Sequence, residues 1–283
     1  MLEALKPDDY LPLVKAALAE DIGSGDATTL ALVPGDSFAV AVMVARDPLV
    51  MAGVDLALAA FLEVDERVEF GIEIFDGQLA GLGQALLRVQ GPTRALLTAE
   101  RTALNFVQHL AGVATLTARF VEEVAGTGAQ ILDTRKTTPG WRALEKYAVA
   151  CGGGTNHRVG LYDRVMVKDN HLAALDGDIA KAVALAREAS PELKIEVEAD
   201  TVEQAQAAAE AGAGIVLLDN MSCEQIREAI ELIDGRSETE ASGGVTLETV
   251  REIAGTGVNF ISVGALTHSA PSVDIALDFD QIA

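Results

Sequence analysis

Seven basic side chains, Arg135, Lys136, Arg142, Lys146, Arg158, Arg164 and Lys168, share one stretch with only two acids, Glu145 and Asp163. That local balance of +5 sits in a chain of net charge −22, which leaves −27 for everything else. A positive island in so negative a chain suits a strongly anionic ligand, because focused local potential rather than net charge captures a charged molecule. A solvated basic face is the bland alternative. Against it, the charges stand at the ends of apolar segments and beside glycines rather than along an exposed helix.

The stretch holds three blocks: Leu132-Asp133-Thr134-Arg135-Lys136-Thr137-Thr138-Pro139-Gly140, then Gly153-Gly154-Thr155-Asn156-His157-Arg158, then Val167-Lys168-Asp169-Asn170-His171. Arg135, Lys136, Arg158 and His157 can clamp carboxylates, for which the arginine fork is well shaped. Glu198 and Asp219 close two later apolar segments and can point inward together. Such a pair can hold Mg²⁺, accept hydroxyl hydrogen bonds or stabilise developing positive charge, or do no more than balance Lys168. In Ser242-Gly243-Gly244 and Val263-Gly264-Ala265, glycines would let backbone N–H groups approach a phosphate, with a helix expected to open at Thr246 behind the first of them. No Walker motif and no G-x-G-x-x-G is present, which argues against nucleotide hydrolysis and dinucleotide binding. Cys151 with His157 could be a thiol nucleophile, but glycines intervene and nothing in the sequence orients the histidine. His109, His157, His171 and His268 show no metal spacing.

These side chains need a scaffold, and the second half of the chain supplies a repeating one. Apolar segments at Ile131-Leu132, Val165 to Val167, Ile195 to Val197, Ile215 to Leu218, Thr239 to Ser242 and Phe260 to Val263 each end in a polar residue or glycine before a helical stretch. That is the rhythm of βα units, which cross over right-handedly into an open sheet or barrel whose reactive groups gather at the strands' C-terminal ends. Six strands are visible where a full barrel has eight, so an incomplete barrel is expected. Helix starts are marked by Thr201 and by the Ser222/Gln225 capping box. The first ninety residues read differently. Helices are expected over 8–20 and 54–63, strands at Phe38 to Ala45, Val68 to Phe75 and Ala85 to Val89, a polar loop over 20–29, and a turn at Asp76-Gly77 between the last two strands. From Thr93 to about Val124 the pattern is helical, with Ala111-Gly112-Val113 expected to break it in two. Arg101, beside Glu100 on that stretch, would alone pass as a surface ion pair.

Composition narrows the class. Hydrophobic residues make up 49% and aromatics 4%, which favours helices on buried parallel strands over an aromatic-rich sandwich. Acidity argues against nucleic acid as a partner. The first ten residues lack a basic start and an apolar core, no apolar window is long enough for a membrane span, and two cysteines build no disulfide framework, so a reduced, soluble, cytoplasmic protein is expected. From the residues alone, the reading is a barrel that binds a phosphorylated sugar and a carboxylate-rich co-substrate, with displacement at an anomeric carbon.

The three blocks together resemble those of the nicotinate-nucleotide pyrophosphorylase (carboxylating), or quinolinate phosphoribosyltransferase, family. Supporting blocks are Glu20 to Thr29, Glu100-Arg101-Thr102-Ala103-Leu104-Asn105, Glu196-Val197-Glu198, Leu218-Asp219-Asn220, Ser242-Gly243-Gly244 and Val263 to Thr267, in order along the chain. The resemblance implies an N-terminal α/β sandwich domain over 1–112, to which residues from about 270 to 283 return, and an incomplete α/β barrel over 113–283. It implies transfer of the phosphoribosyl group of 5-phosphoribosyl-1-pyrophosphate to quinolinate with Mg²⁺, giving nicotinate mononucleotide, CO₂ and pyrophosphate in NAD biosynthesis. It also implies a homodimer with shared sites, from which a hexamer can be built. Under it, Arg101 comes from the partner chain, and Thr134, Arg135, His157 and Arg158 surround the quinolinate carboxylates. Lys136 and Lys168 lie near the pyrophosphate and phosphate groups. Glu198 and Asp219 hold ribose hydroxyls and Mg²⁺, and Ser242 to Gly244 with Val263 to Ala265 cradle the 5′-phosphate. The competing readings are a relative of altered specificity, a Schiff-base aldolase using Lys168, and a phosphosugar-binding sensor without catalysis.

Overall fold

The computed structural model describes residues 4–282, and residues 1–3 and 283 lie outside it. The first helix, α1 (Pro7–Ile22), starts where Pro7 needs no donor and the Asp9 carboxylate accepts the Lys6 N–H at 3.0 Å. It stops at Gly23, whose φ of +53° favours glycine. The expected loop over 20–29 is shorter than the sequence suggests. Asp26 caps a second helix, α2 (Ala27–Leu32), by accepting the Thr29 N–H at 2.9 Å, so Thr28 and Thr29 are helical.

Strands β1 (Phe38–Ala45) and β2 (Leu49–Val50) lead to α3 (Val54–Val64), and β3 (Glu69–Ile72), β4 (Leu79–Ala80) and β5 (Ala85–Pro92) follow. β3 pairs with β5, but Asp76-Gly77 is not a simple turn between them, because β4 intervenes and pairs with β2. Asp76 is instead the remote cap of α3: its carboxylate accepts the N–H groups of Gly53 and Val54 at 3.1 and 3.2 Å.

Helix α4 (Thr93–Glu123) runs unbroken through Gly112, where a break was expected. Gly112 serves close approach instead. A Cβ there would lie 2.2 Å from the Pro271 carbonyl oxygen. The chain then forms β6 (Gln130–Leu132) and α5 (Arg142–Cys151), followed by β7 (Val165–Val167), α6 (Asp169–Ala173), α7 (Ile179–Ala189), β8 (Ile195–Ala199), α8 (Val202–Glu210), β9 (Ile215–Asp219), α9 (Cys223–Ile233), β10 (Glu238–Ser242), α10 (Val250–Ala254), β11 (Phe260–Ser262), α11 (Ala265–His268) and β12 (Ile275–Ile282). Thr201 and Ser222 cap α8 and α9 through the reciprocal boxes read from the sequence.

Two compact units result: residues 1–118, 138–153 and 269–283 form one, and residues 119–137 and 154–268 the other. Helix α4 spans residue 112, where the resemblance implies the boundary between domains. The first unit contains an antiparallel sheet ordered β12-β1-β5-β3, with β12 from the chain's end alongside β1. The second contains six parallel strands ordered β6-β11-β10-β9-β8-β7. That is the order of a barrel left open between β6 and β7, and the segment after α5 partly fills the gap through a parallel bridge of Leu132 with Thr155. Among the described residues no helix is long and apolar enough to cross a membrane.

Gly112→Ala should lower the thermal midpoint, because the new methyl must displace backbone; overpacking of this kind costs about 1 to 3 kcal/mol. Gly71→Ala in β3, where a Cβ meets nothing within 4 Å, should be near neutral by the same melt. Equal midpoints for the two variants would remove close approach as the reason for Gly112.

Candidate active site

Strand side chains alternate faces, and in the six-stranded sheet one face collects the polar residues at every second position. On that face β8 presents Glu196 and then Glu198, β9 presents Leu217 and Asp219, β10 presents Glu240 and Ser242, and β7 presents Met166 with Lys168 just beyond its end. A cavity of about 440 Å³ lies there, lined by most of these residues together with Thr134, Arg135, Lys136, His157, Arg158 and Ser262. Nine residues singled out in the sequence therefore share one cavity: Thr134, Arg135, Lys136, His157, Arg158, Lys168, Glu198, Asp219 and Ser242.

Each is held by the local chain. Lys136 donates its backbone N–H to Thr134 Oγ1 at 3.0 Å, and its carbonyl accepts the Thr267 hydroxyl at 2.7 Å. Lys168 forms an ion pair with Glu198. Asp219 accepts the Asn220 side-chain amide at 2.6 Å. The Arg158 guanidinium reaches only weak partners, the Arg164 carbonyl at 3.5 Å and Met166 Sδ at 3.4 Å, which leaves it oriented but available to a stronger acceptor. Burial and the neighbouring Arg135 cation both lower the Arg158 pKa, so an anion arriving there relieves repulsion between cations.

The phosphate loops differ in part from expectation. Gly243 has φ +100° and Gly244 φ +59°, and a Cβ on Gly243 would lie 2.1 Å from Asn220 Oδ1, so this tight loop requires glycine. Thr246, however, opens only a turn. The helix behind it begins at Val250 and is five residues long, and α11 behind Val263-Gly264 has four, so a phosphate here would depend on loop N–H groups and gain little from a helix dipole. Gly264 has another use: a Cβ would press on Lys136 Cδ at 3.0 Å. Of the loop residues only Ser242 lines the cavity, and Gly243, Gly244, Val263, Gly264 and Ala265 flank it in the chain. Arg101 is exposed on α4, in the first unit, and is not among the lining residues.

Sequence reasoning missed the layer beneath. Glu196 and Glu240 are 0% exposed, and His157 Nε2 lies 3.2 Å from Glu196 Oε2 and 3.3 Å from Glu240 Oε2. These three could ligate a metal by proximity, but Arg164 Nη1 already brings a cation, 3.0 Å from Glu196 Oε2 and 3.2 Å from His157 Nε2. Period-2 alternation could have found both acids, since each stands two residues before an inward residue already singled out.

Two effects oppose each other at the His157 ring. Nδ1 lies 2.7 Å from the Arg158 backbone nitrogen, as suits a neutral ring accepting that N–H. Arg164, however, offsets only one of the two buried glutamates. Protonating Nδ1 would oppose two N–H donors, so a cationic ring must shift away from the Arg158 N–H and give up a hydrogen bond worth about 1 kcal/mol net, whereas an uncompensated buried charge costs about 3 to 5 kcal/mol. Charge balance wins. Burial by itself lowers the imidazole pKa, but Glu196 and Glu240 raise it further, to about 9. By the same pairing Glu196 is held below the usual carboxylate range despite its burial.

The thiol reading fails on its own environment. Cys151 belongs to the first unit, where burial and then Asp76 push its pKa up to about 12, far from a reactive thiolate. Both cysteines are free.

The model of the quinolinate phosphoribosyl transferase C-terminal domain matches residues 113–278, and that of the N-terminal domain matches residues 26–111. The chain belongs to the quinolinate phosphoribosyltransferase family. A Mycobacterium leprae nicotinate-nucleotide pyrophosphorylase [carboxylating] is 47% identical over 286 residues, covering 98% of this chain and all of that relative. The solved nicotinate-nucleotide pyrophosphorylase of Francisella tularensis superposes with a TM-score of 0.94 at 37% identity, and NadC of Streptococcus pyogenes with 0.94 at 41%, each covering 99% of both chains. Both the N- and the C-terminal domain models match this chain.

The imidazolium also contributes to stability with a definite sign. Its folded pKa, about 9, lies above the free value, so its contribution is complete below about pH 6.5 and is lost as pH rises through 9. Thermal melts of the ligand-free protein should therefore fall across that window, and His157→Gln should flatten the trend. A parallel fall in both proteins would refute it.

Proposed function

We propose that this chain is a cytoplasmic quinolinate phosphoribosyltransferase that joins quinolinate to 5-phosphoribosyl-1-pyrophosphate and releases nicotinate mononucleotide, CO₂ and pyrophosphate. One observation carries the reading: four cationic side chains, Arg135, Lys136, Arg158 and Lys168, share a cavity with two strand-end carboxylates, Glu198 and Asp219, and no activated nucleophile is among its lining residues. Such a site binds polyanions and stabilises a cation between them. It does so by fixed charges rather than by covalent chemistry. Schiff-base formation needs a neutral amine, and Lys168 is instead committed to Glu198.

In this reading Thr134, Arg135, His157 and Arg158 take the two adjacent quinolinate carboxylates and aim the ring nitrogen at ribose C1. The nitrogen's lone pair forms the C1–N bond while the C1–O bond breaks and its electron pair leaves with pyrophosphate. Lys136 and Lys168 meet the phosphate charges, and Glu198 and Asp219 face the oxocarbenium-like sugar and its hydroxyls. The C2–carboxylate bond then breaks to release CO₂. The electron pair left at C2 is stabilised by the adjacent cationic nitrogen until it takes a proton.

Hard carboxylate oxygens on a half-buried wall beside a polyphosphate fit Mg²⁺, which keeps waters and draws on substrate phosphates. Glu198 and Asp219 would hold it, and when bound it neutralises charge on the leaving pyrophosphate. The two free thiols accord with a reducing compartment.

The direct test incubates purified protein with quinolinate, phosphoribosyl pyrophosphate and Mg²⁺ and looks for nicotinate mononucleotide; product from nicotinic acid in place of quinolinate would overturn the substrate assignment. Asp219→Asn should keep folding and quinolinate binding while turnover falls about 10² to 10³-fold. Turnover within a fewfold of wild type at saturating Mg²⁺ would make Asp219 structural.

The family resemblance also supports a homodimer in which Arg101 serves the partner's site. Inactive Arg101→Ala mixed with inactive Lys168→Ala, after dissociation and reassociation, should regain up to about a quarter of wild-type sites, since one site of each mixed dimer carries neither lesion. Absence of recovery with subunit exchange verified would place Arg101 in its own chain's site or outside any.

A further inference from the structure

Below the strand-end carboxylates, around His157, lie three charged groups to which the reaction gives no part: the buried Glu196 on β8 and Glu240 on β10, and the partly buried Arg164 just before β7. Glu240 is 0% exposed yet borders the cavity, and neither of its carboxylate oxygens has a well-aligned hydrogen bond; His157 Nε2 at 3.3 Å is an ion-pair contact. A buried acid so poorly satisfied is costly for stability and calls for a reason of another kind.

We propose that Glu240, together with Glu196, is a positioning residue for carboxylate binding: Glu240 from the cavity wall and Glu196 from the protein interior orient His157 by its Nε2 edge and keep its ring a cation beside Arg158. The inference rests on the reading that His157 and Arg158 meet substrate carboxylates.

The charges around the ring make the case. Glu196 and Glu240 supply two negative charges and Arg164 one positive, so the group is neutral when the ring is protonated. Asp133, also fully buried, fixes the ring's backbone by accepting the His157 N–H at 2.8 Å. Arg158 follows it in the chain, with Arg135 as its cationic neighbour. Without the two glutamates, a ring against Arg164 and next in the chain to Arg158 would shed its proton, and the cavity would lose one fixed positive charge near neutral pH. The upward direction of the His157 pKa agrees with this geometry. A purely structural ion pair would not need to border the cavity, nor to engage the one ring placed among the cationic lining.

The test compares wild type with Glu240→Gln, whose amide keeps the shape and loses the charge. A downward move of one unit in the ring's midpoint removes about tenfold of its charged form above that midpoint. Glu240→Gln should therefore raise KM for quinolinate about threefold near pH 8.5 and hardly at all near pH 6, with KM for phosphoribosyl pyrophosphate little altered. In substrate-free protein, the His157 ring resonance should titrate at lower pH in the variant than in wild type. The double variant with His157→Gln should be no worse than His157→Gln alone. An unmoved ring midpoint, or a KM penalty equal at both pH values, would overturn the proposal. Should Glu240→Gln fail to fold, Glu240→Asp must still lower the midpoint, and an unchanged midpoint there would overturn it equally. If wild type does not use quinolinate at all, the proposed function fails, while the ring titration still decides whether Glu240 keeps the His157 ring a cation.

Discussion

Glu196 and Glu240 are acids without solvent exposure in the middle of a parallel sheet, and the interior of the six-stranded unit is arranged around neutralising them. A carboxylate taken out of water costs several kcal/mol unless a partner meets it. Arg164 and His157 are those partners, and both come from the segment that enters the opening between β6 and β7. The requirement to compensate two buried charges thus determines where that segment lies. Asp133 fixes it further, by holding the His157 N–H from the end of β6.

What stands above that layer follows from the pleat. Residues two positions onward from buried inward residues are inward again but closer to the strand ends, which is how Glu198, Asp219 and Ser242 reach the cavity. Cations from three loops join them there: Arg135 and Lys136 after β6, Arg158 from the gap segment, and Lys168 after β7. Electrostatic preorganisation of this kind works because the charges are already paired or packed before a substrate arrives, so little reorganisation is left for the reacting state.

Glycine positions show how closely the backbone is packed in each unit taken by itself. Gly112 in the first unit meets the Pro271 carbonyl, and Gly243 in the second meets Asn220. Both look in the sequence like ordinary breakers or turns. Only the partner, remote in sequence, shows that one preserves a helix and the other a loop against the end of β9.

The sequence by itself determined the local features: helix starts at Thr201 and Ser222, the six apolar strands of the second unit, the basic island, and the identity of nine cavity residues. These depend on neighbours within a few positions, through caps and the alternation of strand faces. It did not determine the continuity of α4 through Gly112, the pairing of β4 with β2, the short helix behind Thr246, or the pairing of β12 with β1. It also left Glu196 and Glu240 as strand residues without a role. Each of these depends on groups far apart in the chain, whose proximity no local pattern encodes. A buried acid is recognisable only once its burial and its partners are known, and both are properties of the tertiary structure.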